Sequence, residues 1–152
     1  MEPNAYRHCT LCPRGCGVDR TSGARGFCGA SDVVYVGRAA LHAWEEPPLS
    51  GERGSGTVFF THCTLGCVFC QNRTISRREA QGKPVTQERL TEIFLELQTQ
   101  GAHNINLVTA SHYAPTVQAA LQQARAQGLH IPVVYNCGGY ETVETLRMLD
   151  GL

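Results

Sequence analysis

The pattern of hydrophobic and polar positions divides the chain near residue 50. Residues 1–50 show little periodicity and are rich in Cys, Gly, Pro and Arg. Glu45-Glu46-Pro47-Pro48-Leu49-Ser50-Gly51 reads as a connecting loop, with Gly54 and Gly56 soon after. From Thr57 the pattern becomes regular. Thr57-Val58-Phe59-Phe60-Thr61 is a short β-prone run. Residues 73–84 are polar and predict a loop. Thr86 predicts a helix N-cap, with Val85 and Leu90 at the spacing of a hydrophobic staple. Leu90, Ile93, Phe94 and Leu97 recur at helical spacing, and Gly101 closes that helix. Ile105-Asn106-Leu107-Val108-Thr109 predicts a buried strand, followed by a loop over 110–114. A second helix carries Val117, Ala120, Leu121 and Ala124 and ends at Gly128. Ile131-Pro132-Val133-Val134-Tyr135 predicts a third strand, with Pro132 at its start or on an edge. The turn Asn136-Cys137-Gly138-Gly139 leads into a third helix with Val143, Leu146 and Leu149.

Strand followed by helix, three times over with short connections, predicts the α/β class. The expected architecture is a parallel sheet with right-handed crossovers, a partial (β/α) barrel over 51–152 preceded by a cysteine-rich metal-binding segment over 1–50. In such sheets the ligand lies beyond the carboxyl ends of the strands. The loops 62–72, 110–114 and 136–140 should therefore share one rim. A closed eight-unit barrel takes about 250 residues. Three units leave it open, so the expectation is a chain truncated at its C-terminus, or one whose remaining units lie elsewhere.

Composition narrows the class. The 152 residues suit one domain, and 42% hydrophobic residues suffice for a core. Thirteen basic and thirteen acidic residues cancel, which gives no sign of a nucleic-acid or membrane partner. Met1-Glu2-Pro3-Asn4 lacks the features of a signal peptide, and no apolar stretch reaches the roughly 18 residues of a membrane span. Eight cysteines without an export signal favour metal ligation over disulfides, in a reducing cytoplasm.

Three of them, Cys63, Cys67 and Cys70, stand in one tight loop with the spacing C-x3-C-x2-C. Thiolates this close can hold three irons of a cubane iron–sulfur cluster and leave the fourth without a protein ligand. Closed electron-transfer clusters take four cysteines, and an open coordination position is where a metal centre meets a small molecule. The competing reading is a zinc site that borrows His62. A second group, Cys9, Cys12, Cys16 and Cys28, offers four thiolates for a closed site. Zinc and an auxiliary cluster fit it equally, and Pro13, Gly15, Gly17 and Gly29 suit its turns. Cys137 has no cysteine near it in sequence and reads as an unligated thiol. Arg73, Arg77 and Arg78 read as a solvated loop or a partner-docking patch.

The C-x3-C-x-aromatic-C motif after the first strand of a βα series resembles the signature of the radical S-adenosylmethionine enzymes. Gly54-Ser55-Gly56-Thr57-Val58-Phe59-Phe60, Cys67-Val68-Phe69-Cys70-Gln71-Asn72, the run from Gly101 to Thr109 and that from Val134 to Glu141 look like the uncharacterised branch related to pyruvate formate-lyase activating enzyme. The resemblance implies a 4Fe–4S cluster on Cys63, Cys67 and Cys70, with S-adenosylmethionine chelating the free iron. It implies reductive cleavage to methionine and a 5′-deoxyadenosyl radical that takes a hydrogen atom from a substrate. Phe69 would pack near the adenine. Ser111, His112, Asn136, Gly138 and Gly139 would line the cofactor, the glycines by close backbone approach. Where many relatives have Gly-Gly-Glu after the second strand, this chain has Thr109-Ala110-Ser111-His112-Tyr113, without a carboxylate. For His112 the rival reading is an ordinary loop residue, and for Asn136, Gly138 and Gly139 a plain turn. Implied partners are an electron donor such as flavodoxin or ferredoxin and a glycyl-radical enzyme. The alternatives are a radical reaction on a small molecule and a non-catalytic metal-binding module.

Overall fold

The computed structural model describes residues 5–152. Its regular elements are β1 (Val34–His42), α1 (Pro47–Ser50), β2 (Ser55–Phe60), α2 (Arg73–Ser76), β3 (Lys83–Val85), α3 (Gln87–Thr99), β4 (Ile105–Val108), α4 (Ala114–Ala126), β5 (Val133–Asn136) and α5 (Val143–Leu149). The strands form one mixed sheet in the order β3-β1-β2-β4-β5.

The three expected strand–helix units are present. β2, β4 and β5 are adjacent and parallel, with Gly56 opposite Ile105 and Ile105 opposite Val133. Their carboxyl ends therefore lie along one side of the sheet. Pro132 falls just before β5, an edge strand among the described residues, where its missing N–H costs no ladder bond.

The sheet is not wholly parallel, and this corrects the expected architecture. β1 runs antiparallel to both β2 and β3. Residues 34–42, on the amino side of the expected boundary at 50, thus belong to the same sheet as β2. A register shift between Val36 and Arg38 explains why β1 lacks a readable alternation. Val34 and Val36 are buried before it, whereas Ala39 and Leu41 pair with Val58 and Gly56 after it. One inserted residue moves the inward positions from even to odd numbers. β3 falls at the end of the polar segment expected to be loop. It has only three residues, including Pro84, and sits at the other edge of the sheet.

The helices cover one face. Thr86 caps α3 by accepting from the Arg89 N–H at 3.2 Å, and Thr142 caps α5 by accepting from the Thr145 N–H at 3.2 Å. Leu90, Phe94 and Leu97 of α3 and Val117 and Leu121 of α4 pack with Val58, Phe60, Ile105 and Leu107 in a common core. The cysteine-rich segment docks where α4 and α5 begin. The Tyr6 hydroxyl lies 2.9 Å from Thr116 Oγ1, and Thr145 Oγ1 donates to the Leu11 carbonyl at 2.8 Å. Arg20 is only 1% exposed; its guanidinium donates to the His112 carbonyl at 2.6 Å and to the Ser31 carbonyl, and lies over the Tyr6 ring. Among the described residues no helix is long and apolar enough to cross a membrane.

Gly56 sets the spacing between sheet and helix. A Cβ there would sit 2.8 Å from the Asn104 carbonyl oxygen and 2.9 Å from the Ala102 Cβ. Gly56→Ala should lower stability by about 1–3 kcal/mol through overpacking, read as a lower denaturation midpoint at unchanged slope.

Candidate metal centre

The triplet loop begins where β2 stops. His62 takes a left-handed backbone conformation, φ +69°, and Thr109 just past β4 does the same at φ +61°. Neither is glycine, so each conformation costs of order ~1–3 kcal/mol and must be held by its surroundings. Thr61 Oγ1 lies 2.9 Å and the Tyr113 hydroxyl 3.3 Å from His62 Nδ1. His112 donates from Nε2 to the Thr61 carbonyl at 2.8 Å, which ties the β4 loop to the end of β2. Burial lowers the pKa of His62, and that of His112 falls to about 3 through burial and the nearby Arg20. Both rings are therefore neutral at pH 7. With its proton on Nε2, His112 carries an unprotonated, buried Nδ1 without a partner among the protein atoms.

Cys63, Cys67 and Cys70 are half-buried on this loop. Cys63 Sγ accepts from the Leu65 N–H and Cys70 Sγ from the Ser76 hydroxyl, both at 3.4 Å. The loop carbonyls are bound by two guanidinium groups. Arg14 donates from Nε to the Thr64 carbonyl at 2.7 Å and from Nη2 to the Leu65 carbonyl at 3.1 Å. Arg77 donates to the Gly66 and Cys67 carbonyls at 3.0 and 2.8 Å. Arg78 donates to the Gly26 carbonyl at 2.7 Å. Arg77 and Arg78 are thus engaged within the fold rather than forming a solvated loop, and Arg73 is exposed. Phe69, expected beside the cofactor, projects into solvent at 86% exposure.

The second cysteine group forms a compact turn. The Cys9 N–H donates to the Val18 carbonyl and the Gly17 N–H to the Cys9 carbonyl, both at 3.1 Å. Cys9 is buried, Cys12 and Cys28 half-buried and Cys16 exposed. Burial pushes the Cys12 and Cys28 thiols up, and the neighbouring Cys9 pushes both further. A Cβ at Gly26 would lie 2.5 Å from Cys16 Sγ, so Gly26 leaves room for that sulfur. Four thiols in one neighbourhood are the donor types a closed zinc or iron–sulfur site takes. Cys28 also lines a cavity of about 310 Å³ with Cys63, Phe27, Ser76 and Arg77, so the two cysteine groups adjoin. All eight cysteines are free thiols. Among the described residues no set of three or more His, Cys, Asp or Glu side chains converges at the spacing of a bound ion.

The loops after β4 and β5 complete the rim. Ser111 donates to the Glu141 carboxylate at 2.6 Å and accepts from the Tyr135 hydroxyl at 2.8 Å. The β4 loop has no carboxylate of its own, but Glu141 brings one to it from the β5 loop. The sequence places Glu141 five residues beyond β5 and gives no hint of this contact. The Asn136 carbonyl accepts from the Thr109 N–H at 2.9 Å, and the residue is exposed. A Cβ at Gly138 would lie 2.1 Å from Leu65 Cδ1, so this glycine allows close approach to the triplet loop itself. Gly139 adopts φ +71°, which glycine accommodates without strain. Cys137 is exposed.

No known protein-family profile and no solved structure matches the chain. An uncharacterized protein of Methanocaldococcus jannaschii is 30% identical over 155 aligned residues, which include 98% of this chain. The chain spans 44% of that relative's length.

The His112 environment sets a pH dependence. Unfolded, His112 binds a proton near its ordinary value of 6.5; folded, it resists protonation down to about 3. Between these values the unfolded state holds the extra proton, so stability falls as pH drops, by about 1.4 kcal/mol per unit from this group. His112→Gln should flatten the stability–pH curve below pH 6.5 and leave its slope above that unchanged. Denaturant titrations across this range check it.

Proposed function

We propose that the protein is a radical S-adenosylmethionine enzyme whose 4Fe–4S cluster is held by Cys63, Cys67 and Cys70. The observation that carries this reading is the position of the three-thiol loop. It follows the first of three adjacent parallel strands and meets the loops after the other two through His112, Leu65 and Gly138. Three protein sulfurs leave one iron free, and hydrogen bonds from the Leu65 N–H and the Ser76 hydroxyl orient two of those sulfurs.

When bound, the cluster supplies the electron that cleaves S-adenosylmethionine to methionine and a 5′-deoxyadenosyl radical, which takes a hydrogen atom from the substrate. The chain's own part is placement. The Glu141 carboxylate, oriented by Ser111, is an acceptor for the ammonium group of the ligand's methionine moiety. The exposed Phe69 ring offers an apolar face for adenine. Gly138 keeps the β5 loop close to the triplet, with Gly139 and Asn136 beside it in sequence. His112 serves this rim as a neutral tie to the Thr61 carbonyl. Glycyl-radical formation in a partner enzyme is the proposed outcome, with flavodoxin or ferredoxin as the source of electrons. Eight free thiols suit a reducing cytoplasm.

Anaerobic reconstitution with iron and sulfide should load about four irons on the triplet, with an electronic spectrum that shifts on adding S-adenosylmethionine. Cys63→Ala, Cys67→Ala and Cys70→Ala should each abolish that cluster. Glu141→Gln should retain it but weaken S-adenosylmethionine binding by about tenfold, the worth of one charge-assisted hydrogen bond. Tight zinc uptake at the triplet, with no response to S-adenosylmethionine, would establish a metal-binding module instead.

A further inference from the structure

Arg14 lies between Cys12 and Cys16, yet its hydrogen bonds go to the other cysteine group. Its guanidinium donates to the Thr64 and Leu65 carbonyls at 2.7 and 3.1 Å. The group lies 3.3 Å from the centroid of the Phe27 ring and 5.6 Å from that of Tyr140. Phe27 immediately precedes Cys28, and Tyr140 immediately precedes Glu141. One side chain, itself within the first cysteine group, therefore meets Phe27 beside Cys28, the triplet loop and the β5 loop. The Phe27 ring also reaches the triplet, 3.4 Å from a Cβ placed on Gly66. The turn that carries Arg14 is short and fixed at its base by the Gly15 N–H, which donates to the Cys12 carbonyl at 3.0 Å.

We infer that Arg14 is a positioning residue through which metal at Cys9, Cys12, Cys16 and Cys28 orders the triplet loop. A metal that ties Cys12 to Cys16 fixes both ends of the segment bearing Arg14, and one that includes Cys28 fixes Phe27 beneath the guanidinium. The ordered guanidinium then holds two carbonyls that no helix or strand satisfies. Without the metal the same hydrogen bonds must also order the turn, and the triplet loop opens more often. The first cysteine group thus prepares the second without contributing a ligand to it.

The inference rests on reading Cys9, Cys12, Cys16 and Cys28 as one metal site. Its test dispenses with the triplet's ligands, so failure of the S-adenosylmethionine chemistry leaves the result untouched. The full chain carrying C63A, C67A and C70A is titrated with zinc(II) alone, and amide hydrogen exchange is followed over residues 62–72. Zinc should bind in one equivalent and slow exchange in this loop by about tenfold, as two hydrogen bonds of ordinary strength would. Arg14→Ala in the same background should bind zinc with the same stoichiometry and lose the slowing. Arg14→Lys, which keeps the charge but not the fork that spans two carbonyls, should lose it as well. Equal slowing in both Arg14 variants would overturn the inference, as would zinc binding that leaves the loop's exchange unchanged in the parent. Loss of zinc binding in both variants would also overturn it, since Arg14 would then serve the first cysteine group rather than the loop.

Discussion

The loop that carries Cys63, Cys67 and Cys70 is neither helix nor strand, and so its backbone acceptors need partners from elsewhere. The carbonyls of Thr64, Leu65, Gly66 and Cys67 follow one another, and two guanidinium groups take all four. Buried peptide groups left unpaired cost about 1–3 kcal/mol each. Arginine suits the task because its planar fork presents several donors in fixed directions. Arg77 comes from just beyond the loop, whereas Arg14 comes from the amino-terminal segment. The shape of the three-cysteine loop therefore depends on a part of the chain that contributes none of its sulfurs.

The sheet supplies the other half of the arrangement. Because β2, β4 and β5 are parallel neighbours, their following loops meet without long excursions. Left-handed conformations at His62 and Thr109 turn the chain sharply at the same level. They are held by a small buried network of Thr61, His62, His112 and Tyr113, with neutral imidazoles. The network is rigid and polar beneath the rim, while the rim itself carries the half-exposed thiols and the Glu141 carboxylate.

Local chemistry was legible in the sequence, and distant partnership was not. The triplet's spacing is a local pattern, so it stands out in eight letters of sequence. α3 was legible because Leu90, Ile93, Phe94 and Leu97 all turn to one core. β1 was not, because its inserted residue changes which positions face inward, and β3 was not, because three residues with a proline carry no period. Arg14 and Glu141 escaped for a different reason. Their partners lie 50 and 30 residues away, and a lone arginine or glutamate in a loop reads as solvated until the fold places something beside it. Arg77 was misread in the same way, although its partners are nearer.

The clasp between the two ends of the described chain has a consequence for synthesis. Leu11 is held by Thr145, Tyr6 by Thr116 and Arg20 by the carbonyl of His112, at sequence separations of 134, 110 and 92 residues. Contacts this remote form late, because the intervening loop must close first. On the ribosome, Cys9, Cys12, Cys16 and Cys28 emerge well before the surface that seats them. Until the chain as far as Thr145 has emerged, these four thiols lack the contacts that seat their segment in the folded protein.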